Sequence, residues 1–221
     1  LRLALFDLDN TLLAGDSDFE WAEFLILQGV LDRQLHQARN AKFYDDYKNG
    51  TLDIHAFLEF QLKPLSQHPR SQLDAWHQKY MEIKVRGMMT DKARALVEKH
   101  RQAGDLMMVI TATNGFVTAP IAHEFGIENL IATIPEEIDG EFTGRVSGVP
   151  SFKEGKVTRL HAWLHEREKG LADFDETWFY SDSLNDLPLL KVVDHPVAVD
   201  PDPVLRAYAE EAKWPIISLR N

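Results

Sequence analysis

Apolar and polar positions follow two alternating patterns along the chain. Leu3 to Phe6 is a short continuous apolar run, and Leu106 to Ile110, Thr177 to Tyr180 and Pro196 to Val199 repeat it. A strand covered on both faces shows no polar alternation, so each run predicts a buried strand of a parallel sheet. Trp214 to Leu219 predicts a fifth. Between these runs apolar residues recur at helical spacing. Ala93, Leu96 and Val97 precede a stop at His100 to Gly104; Val117, Ile121 and Phe125 precede Gly126; Val157, Leu160 and Leu164 follow Gly155. Each set predicts a helix.

Strands alternating with helices predict an α/β fold, a Rossmann-like parallel sheet with helices on both faces. Residues 16–86 break that rhythm. They hold no good strand candidate and read as four helices, with apolar faces through Phe19, Ala22 and Ile26; Leu31, Leu35 and Ala38; Ile54, Phe57 and Leu58; and Leu73, Trp76 and Tyr80. Gly29, Gly50 and the stretch from Pro64 to Pro69 punctuate them. A helical block inserted straight after the first strand predicts a cap over the sheet's carboxyl edge, where open α/β sheets bind ligands. The expected division is an α/β core of residues 1–15 and 87–221 and an all-helical cap of residues 16–86. Asp139-Gly140, between Ile138 and Phe142, predicts a tight hairpin within Glu137 to Val146.

Composition narrows the chemistry. The chain has 221 residues, 44% of them hydrophobic, enough for one large α/β domain or a core with an insert. Its 35 acidic residues outnumber 24 basic ones, giving a net charge of -11, which argues against a nucleic-acid partner. No cysteine is present, so disulfides, thiolate nucleophiles and cysteine-bound zinc are excluded. No apolar run approaches the ~20 residues of a membrane span. The apolar start, Leu1 to Phe6, is too short for a signal sequence. The expectation is a soluble, cytoplasmic protein with no membrane partner; no pattern speaks to its oligomeric state.

Four places carry candidate chemistry. Asp7 and Asp9, in Phe6-Asp7-Leu8-Asp9-Asn10-Thr11, lie just past the first strand, where two carboxylates two residues apart can face one crevice; a polar turn is the alternative. Thr111 follows the strand ending at Ile110, with Thr113 and Asn114 behind it. A hydroxyl and free backbone N–H groups at a helix start suit a phosphate oxygen, and plain helix capping by Thr113 or Asn114 is the alternative. Lys156, in Lys153-Glu154-Gly155-Lys156, lies near a helix start, which is slightly unfavourable for a lysine unless an anion is near; a solvated surface lysine is the default alternative. Lys153 competes with it. Asp182 and Asp186, in Ser181-Asp182-Ser183-Leu184-Asn185-Asp186, can offer oxygen to a hard cation, with a plain polar loop as the alternative. His161 and His165 have zinc-pair spacing, but a solvated helix face explains them better.

Together, Asp7-Leu8-Asp9-Asn10-Thr11, Thr111, Lys156 and Asp182-Ser183-Leu184-Asn185-Asp186 resemble the four motifs of the haloacid dehalogenase superfamily. The helical insert falls where the branch that includes phosphoserine phosphatases and some histidinol-phosphate phosphatases carries its cap. The resemblance implies a phosphomonoesterase in which Asp7 is the nucleophile and Asp9 the general acid and base. It also implies that Mg²⁺ sits on Asp7, the Asp9 carbonyl and Asp182, with Asp186 orienting Lys156 or a metal-bound water. Thr111 and Lys156 would hold phosphate oxygens. Charge supports this arrangement: at ~4 Å each like-charged pair costs on the order of 4 kcal/mol at an effective dielectric of 20, and a divalent cation with Lys156 offsets it. Asp9 further argues for phosphate-ester chemistry, because a halide leaves without a proton.

Substrate readers are sought in the insert. Asp16 falls where phosphoserine phosphatases carry an acid for the substrate ammonium, with Asp18 as a near alternative; helix capping by Asp16, Ser17 or Asp18 competes. Trp21 with Phe43-Tyr44 could wall an imidazole ring, although such residues are more often the core of a cap, and Thr113 and Asn114 complete the candidate binding set. The expected substrate is a small phosphorylated metabolite of amino-acid biosynthesis, an amino-alcohol phosphate, with histidinol phosphate ahead of phosphoserine because no arginine sits in a pattern that would read a carboxylate. The competing readings are a phosphomutase on sugar phosphates, a phospho-accepting receiver and a non-catalytic binding protein.

Overall fold

The continuous apolar run at the start of the chain is divided between two faces. The computed structural model describes residues 1–220. In its first strand, β1 (Arg2–Phe6), Ala4 and Phe6 enter one hydrophobic cluster and Leu3 and Leu5 the other. That is the period-two geometry of a strand, and it explains why no polar residue interrupts the run. The elements continue as α1 (Ser17–Leu27), α2 (Arg33–Lys48), α3 (Ile54–Leu62), α4 (Arg70–Tyr80), α5 (Asp91–Gln102), β2 (Leu106–Asn114), α6 (Gly115–Glu124), β3 (Asn129–Ile138) and β4 (Glu141–Ser147). After these come α7 (Glu154–His165), β5 (Glu176–Ser181), α8 (Leu187–Leu190), β6 (His195–Val199), α9 (Pro203–Ala212) and β7 (Ile216–Ile217).

The seven strands form one sheet in the order β4-β3-β2-β1-β5-β6-β7, parallel except where β4 pairs with β3. Side chains of α5, α6 and the inserted helices cover the Phe6 face, and those of α7, α8 and α9 cover the Leu5 face. Strand order reverses at β1, which lies between β2 and β5, so a crevice opens at the carboxyl ends of these three strands.

Two expectations are corrected. The sheet has a strand that the apolar runs do not announce: β3 extends from Asn129, pairs parallel with β2, and runs into the hairpin at Ile138. Of its first residues Ile131, Ala132 and Thr133 are deeply buried, and with a threonine among them the apolar stretch is too short to read as a run. The hairpin turn is Asp139-Gly140 as expected, both with positive φ (52° and 82°), as a type I′ turn demands. The second correction concerns α2, whose Leu35 is 71% exposed and whose Ala38 also faces solvent. Its inward side carries Asn40, Phe43, Tyr44 and Tyr47, because that side borders a cleft rather than a core.

Between β1 and α5 the chain is helical, and Leu13 and Met89 pair where it leaves and returns. Among the described residues no helix is long and apolar enough to cross a membrane.

Candidate active site

Immediately after β1, the chain enters a turn (Leu8–Leu12) broken by extended backbone at Asp9 and a positive φ of 57° at Asn10. Asparagine tolerates that left-handed conformation better than most residues. The Asn10 N–H donates to the Gly15 carbonyl (2.9 Å), and the Arg220 guanidinium donates to the carbonyls of Asn10 and Thr11. This fixed turn directs both Asp7 and Asp9 into the crevice.

Asp7 is buried and firmly held. Its N–H donates to the Tyr180 carbonyl of β5 (2.9 Å), Oδ1 accepts from Lys156 Nζ (2.9 Å), and Oδ2 accepts from Thr11 Oγ1 (3.0 Å). The same threonine hydroxyl lies 3.1 Å from Asp182 Oδ1 and accepts from the Asp182 N–H. With one proton it serves one carboxylate at a time, so it bridges the ends of β1 and β5. Lys156, 1% exposed in the first turn of α7, also donates to Asp186 (2.8 Å), which accepts a second bond from Ser181 Oγ (2.6 Å). Of the two lysines, Lys156 is the one brought beside Asp7, and Lys153 Nζ instead donates to the Gly50 carbonyl in the inserted block (2.9 Å).

Charge is unbalanced here. Burial would lower the Lys156 ammonium, but the carboxylates of Asp186 and Asp7 outweigh it and raise it. Burial pushes Asp186 up to about 6 against the opposing pull of Lys156, and it raises Asp7 too. Asp182 is pushed well above the usual carboxylate range by burial and by the charges of Asp7 and Asp186. One buried cation therefore faces more carboxylate than it can neutralise. The uncompensated donors, Asp7 and Asp182, offer only oxygen, which fits a hard divalent cation. Among the described residues no three or more His, Cys, Asp or Glu form a closed metal cage. Magnesium does not need one, because it uses one or two carboxylates and keeps several waters. Asp186, with its oxygens on Lys156 and Ser181, fits the lysine-orienting role better than that of a direct ligand.

Asp9 is held separately. Oδ2 accepts from Thr113 Oγ1 (2.7 Å) and Thr111 Oγ1 (3.4 Å), and Oδ1 accepts from the Ser17 N–H at the start of α1 (2.6 Å). Thr113 thus touches the acid directly, while Asn114 caps α6 by accepting from the Val117 N–H (3.2 Å) and does not line the cleft.

The cleft, about 530 Å³ of empty space partly open to solvent, lies between strand ends and inserted helices. Asp7, Asp9, Thr111 and Thr113 line one side; Asp16, Asp18, Phe43, Tyr44 and Tyr47 line the other. Asp16 both caps α1, accepting from the N–H groups of Asp18 and Phe19 (2.9 Å each), and lines the cleft, so the competing readings of it hold together. Burial and the Asp9 and Asp7 charges push it up to about 7. Trp21 is a correction: it packs among Phe24, His77, Tyr80 and Phe116 in the core and is no part of the cleft. Its apolar helical spacing was the signal for that. Thr11 and Tyr47 were not anticipated as site residues. Thr11 was visible inside the first motif, whereas nothing local in the sequence marks Tyr47, whose phenol is held protonated by burial and by the nearby charges of Asp7, Asp182 and Asp186. His161 and His165 are solvent-exposed, as expected.

A haloacid dehalogenase-like hydrolase model matches residues 4–191. A histidinol-phosphatase of Neisseria meningitidis serogroup C is 47% identical over 220 residues, covering 99% of both chains. A solved structure of a protein of unknown function from Bordetella pertussis Tohama I superposes with a TM-score of 0.94, at 47% identity and 99% coverage of both chains. A phospho-aspartyl intermediate analogue of phosphoserine phosphatase superposes with a TM-score of 0.70 at 20% identity, over 99% of this chain and 93% of that one, a likeness of fold.

Proposed function

The chain belongs to the haloacid dehalogenase-like hydrolase family and is a phosphatase, and from that premise we propose that it hydrolyses an amino-alcohol phosphate through an aspartyl phosphate on Asp7. The observation that carries this reading is the pairing of two carboxylates at the end of β1. Asp7 is gripped by Lys156 and Thr11, while Asp9 is held by Thr113 and Ser17 on the same cleft.

In the first half-reaction an Asp7 oxygen bonds to phosphorus as the ester P–O bond breaks, and Asp9 gives its proton to the departing alkoxide. In the second, Asp9 takes a proton from water, whose oxygen bonds to phosphorus and releases Asp7 and inorganic phosphate. Lys156 and Thr111 hold the phosphoryl oxygens, and Asp186 keeps the lysine in place. Asp7, Asp182 and the Asp9 carbonyl would hold Mg²⁺, which supplies positive charge to an anion attacked by an anion. Residues 16–86 act as a cap on a core of residues 1–15 and 87–221, excluding water and carrying the substrate-reading side chains.

Two observations favour histidinol phosphate over phosphoserine. A relative named histidinol-phosphatase shares 47% identity over nearly all of both chains. Among the described residues that line the cleft beyond the Asp7 end there is no lysine or arginine to meet a substrate carboxylate, whereas Asp16 is available for an amine. A small metabolite of amino-acid biosynthesis is the substrate class that follows.

Phosphate release from histidinol phosphate, phosphoserine, sugar phosphates and nucleotides tests the proposal, with Mg²⁺ or chelator, for wild type and Asp7→Asn. The expected result is metal-dependent release, best on histidinol phosphate and lost by about 10³-fold or more in the variant. Full activity of Asp7→Asn would sink the covalent route.

A further inference from the structure

One carboxylate in the cleft has no place in the phosphoryl chemistry. Asp18, in the first turn of α1, is 3% exposed, and its Oδ1 is sealed from solvent with no hydrogen-bond partner. Asp16, two residues earlier, spends one oxygen on capping the helix; Asp18 contributes only its N–H to that cap. An acid in such a place is costly unless something pairs with it. Burial, and then the charges of Asp16 and Asp9, push its pKa well above the usual carboxylate range.

The surroundings say what would pair with it. Phe19, Phe43, Tyr44 and Phe57 line the same cleft, so its walls are flat and apolar. Asn40 and Gln61, both buried, form a linked amide pair there: Gln61 Nε2 donates to Asn40 Oδ1 (3.1 Å), and Asn40 Nδ2 donates to the Phe19 carbonyl (3.3 Å). Aromatic walls with a few fixed polar groups suit a planar ring that carries N–H groups. The absence of a basic side chain among the lining residues leaves a negatively charged organic portion without a partner.

Resting on the phosphatase reading above, we propose that Asp18 is a specificity-determining residue that accepts an N–H from a nitrogen heterocycle on the substrate's alcohol portion, while Asp16 takes the amine. The preferred substrate is then an aminoalkyl phosphate bearing such a ring and no carboxylate. Selection works in both directions, because a ring N–H relieves the unpaired acid and a carboxylate meets only other acids.

Steady-state kinetics of wild type and Asp18→Asn on histidinol phosphate and on phosphoethanolamine, which has the amine but no ring, test the proposal. The ratio of kcat/KM for histidinol phosphate to that for phosphoethanolamine should fall about tenfold or more in the variant, as expected for losing a charge-assisted bond. An unchanged ratio, whether both activities persist or fall together, overturns it and makes Asp18 a structural residue. Calorimetric binding of histidinol, the dephosphorylated alcohol, gives a readout that needs no turnover. Equal affinity in both proteins would also overturn the proposal. Failure of the phosphatase reading would look different, as an absence of Mg²⁺-dependent phosphate release from any ester by the wild type.

Discussion

Lys156 has the most exacting position of any side chain in the site. Its ammonium is buried between Asp7 (2.9 Å) and Asp186 (2.8 Å), so its removal leaves two carboxylates facing each other out of water. Lys156→Met should therefore cost about 3–5 kcal/mol of stability, and the variant should lose phosphate release as well. Urea denaturation at neutral pH measures the first effect, and a variant as stable as wild type would show that the ion pair does not hold the site together. The sequence held only a hint of this residue: a lysine opening a helix is unfavourable unless an anion lies near, but taken alone it reads as a solvated surface lysine, and only the combination of motifs singled it out. What spacing could not supply was the separation of Lys153 from Lys156, three residues apart on one turn, because the outcome depends on which points into the sheet edge. Asp16 was ambiguous in the sequence because capping and cleft-lining need the same residue in the same place, and it does both. Trp21 was named as a wall residue although an aromatic residue on an apolar helical face is more often core, and core is where it lies.

At the scale of elements, the placement of Lys156 rests on a glycine. A Cβ at Gly155 would lie 2.1 Å from the Pro150 carbonyl oxygen, a backbone atom that cannot swing away, so the loop entering α7 passes too close for any side chain. Gly155→Ala should push the first turn of α7 outward and displace the lysine one residue on. The expectation is a loss of about 1–3 kcal/mol together with a fall in kcat, read by thermal unfolding and phosphate release. Gly87→Ala, where a Cβ meets open space, is the control; equal effects at the two glycines would remove the packing argument. Elements long and periodic enough to bury a continuous face, such as β1, α5 and α7, were readable from the sequence. β3 was not, since its buried residues are few, Ile131 to Thr133 and Pro135, and include a threonine and a proline that break any apolar run. The exposed face of α2 was also misread, because a helix bordering a cleft turns Asn40 and aromatic residues inward and leaves Leu35 outside.

Across the whole molecule, the inserted helices are joined to the sheet by a few polar bonds that span the cleft's rim and its base. Asn185 Nδ2 donates to the Tyr47 carbonyl (2.7 Å), Lys153 Nζ to that of Gly50, and His77 Nε2 on α4 lies 2.8 Å from the Val117 carbonyl on α6. A carbonyl only accepts, so His77 carries its proton on Nε2, with its ring buried among Trp21, Tyr80 and Phe116. Burial holds its folded pKa below the ordinary value of 6.5. Below 6.5 the unfolded chain then binds a proton that the folded one resists, so stability rises with pH in that window and is lost as pH falls through the folded value. Asp16, pushed up to about 7, slopes the other way: the folded state keeps a proton that the unfolded chain releases above its ordinary value of 3.8, so its contribution declines as pH rises. These windows overlap, so the stability curve of the wild type alone cannot isolate the histidine. The difference between wild type and His77→Gln can, since the amide still donates to Val117 but does not titrate. That gap should be widest near pH 8 and should narrow as pH falls below about 6.5, where the advantage of a neutral imidazole disappears. Denaturant titrations from pH 8 to pH 5 measure it directly, and a gap that stays constant across the range would mean that this junction carries no proton-linked strain.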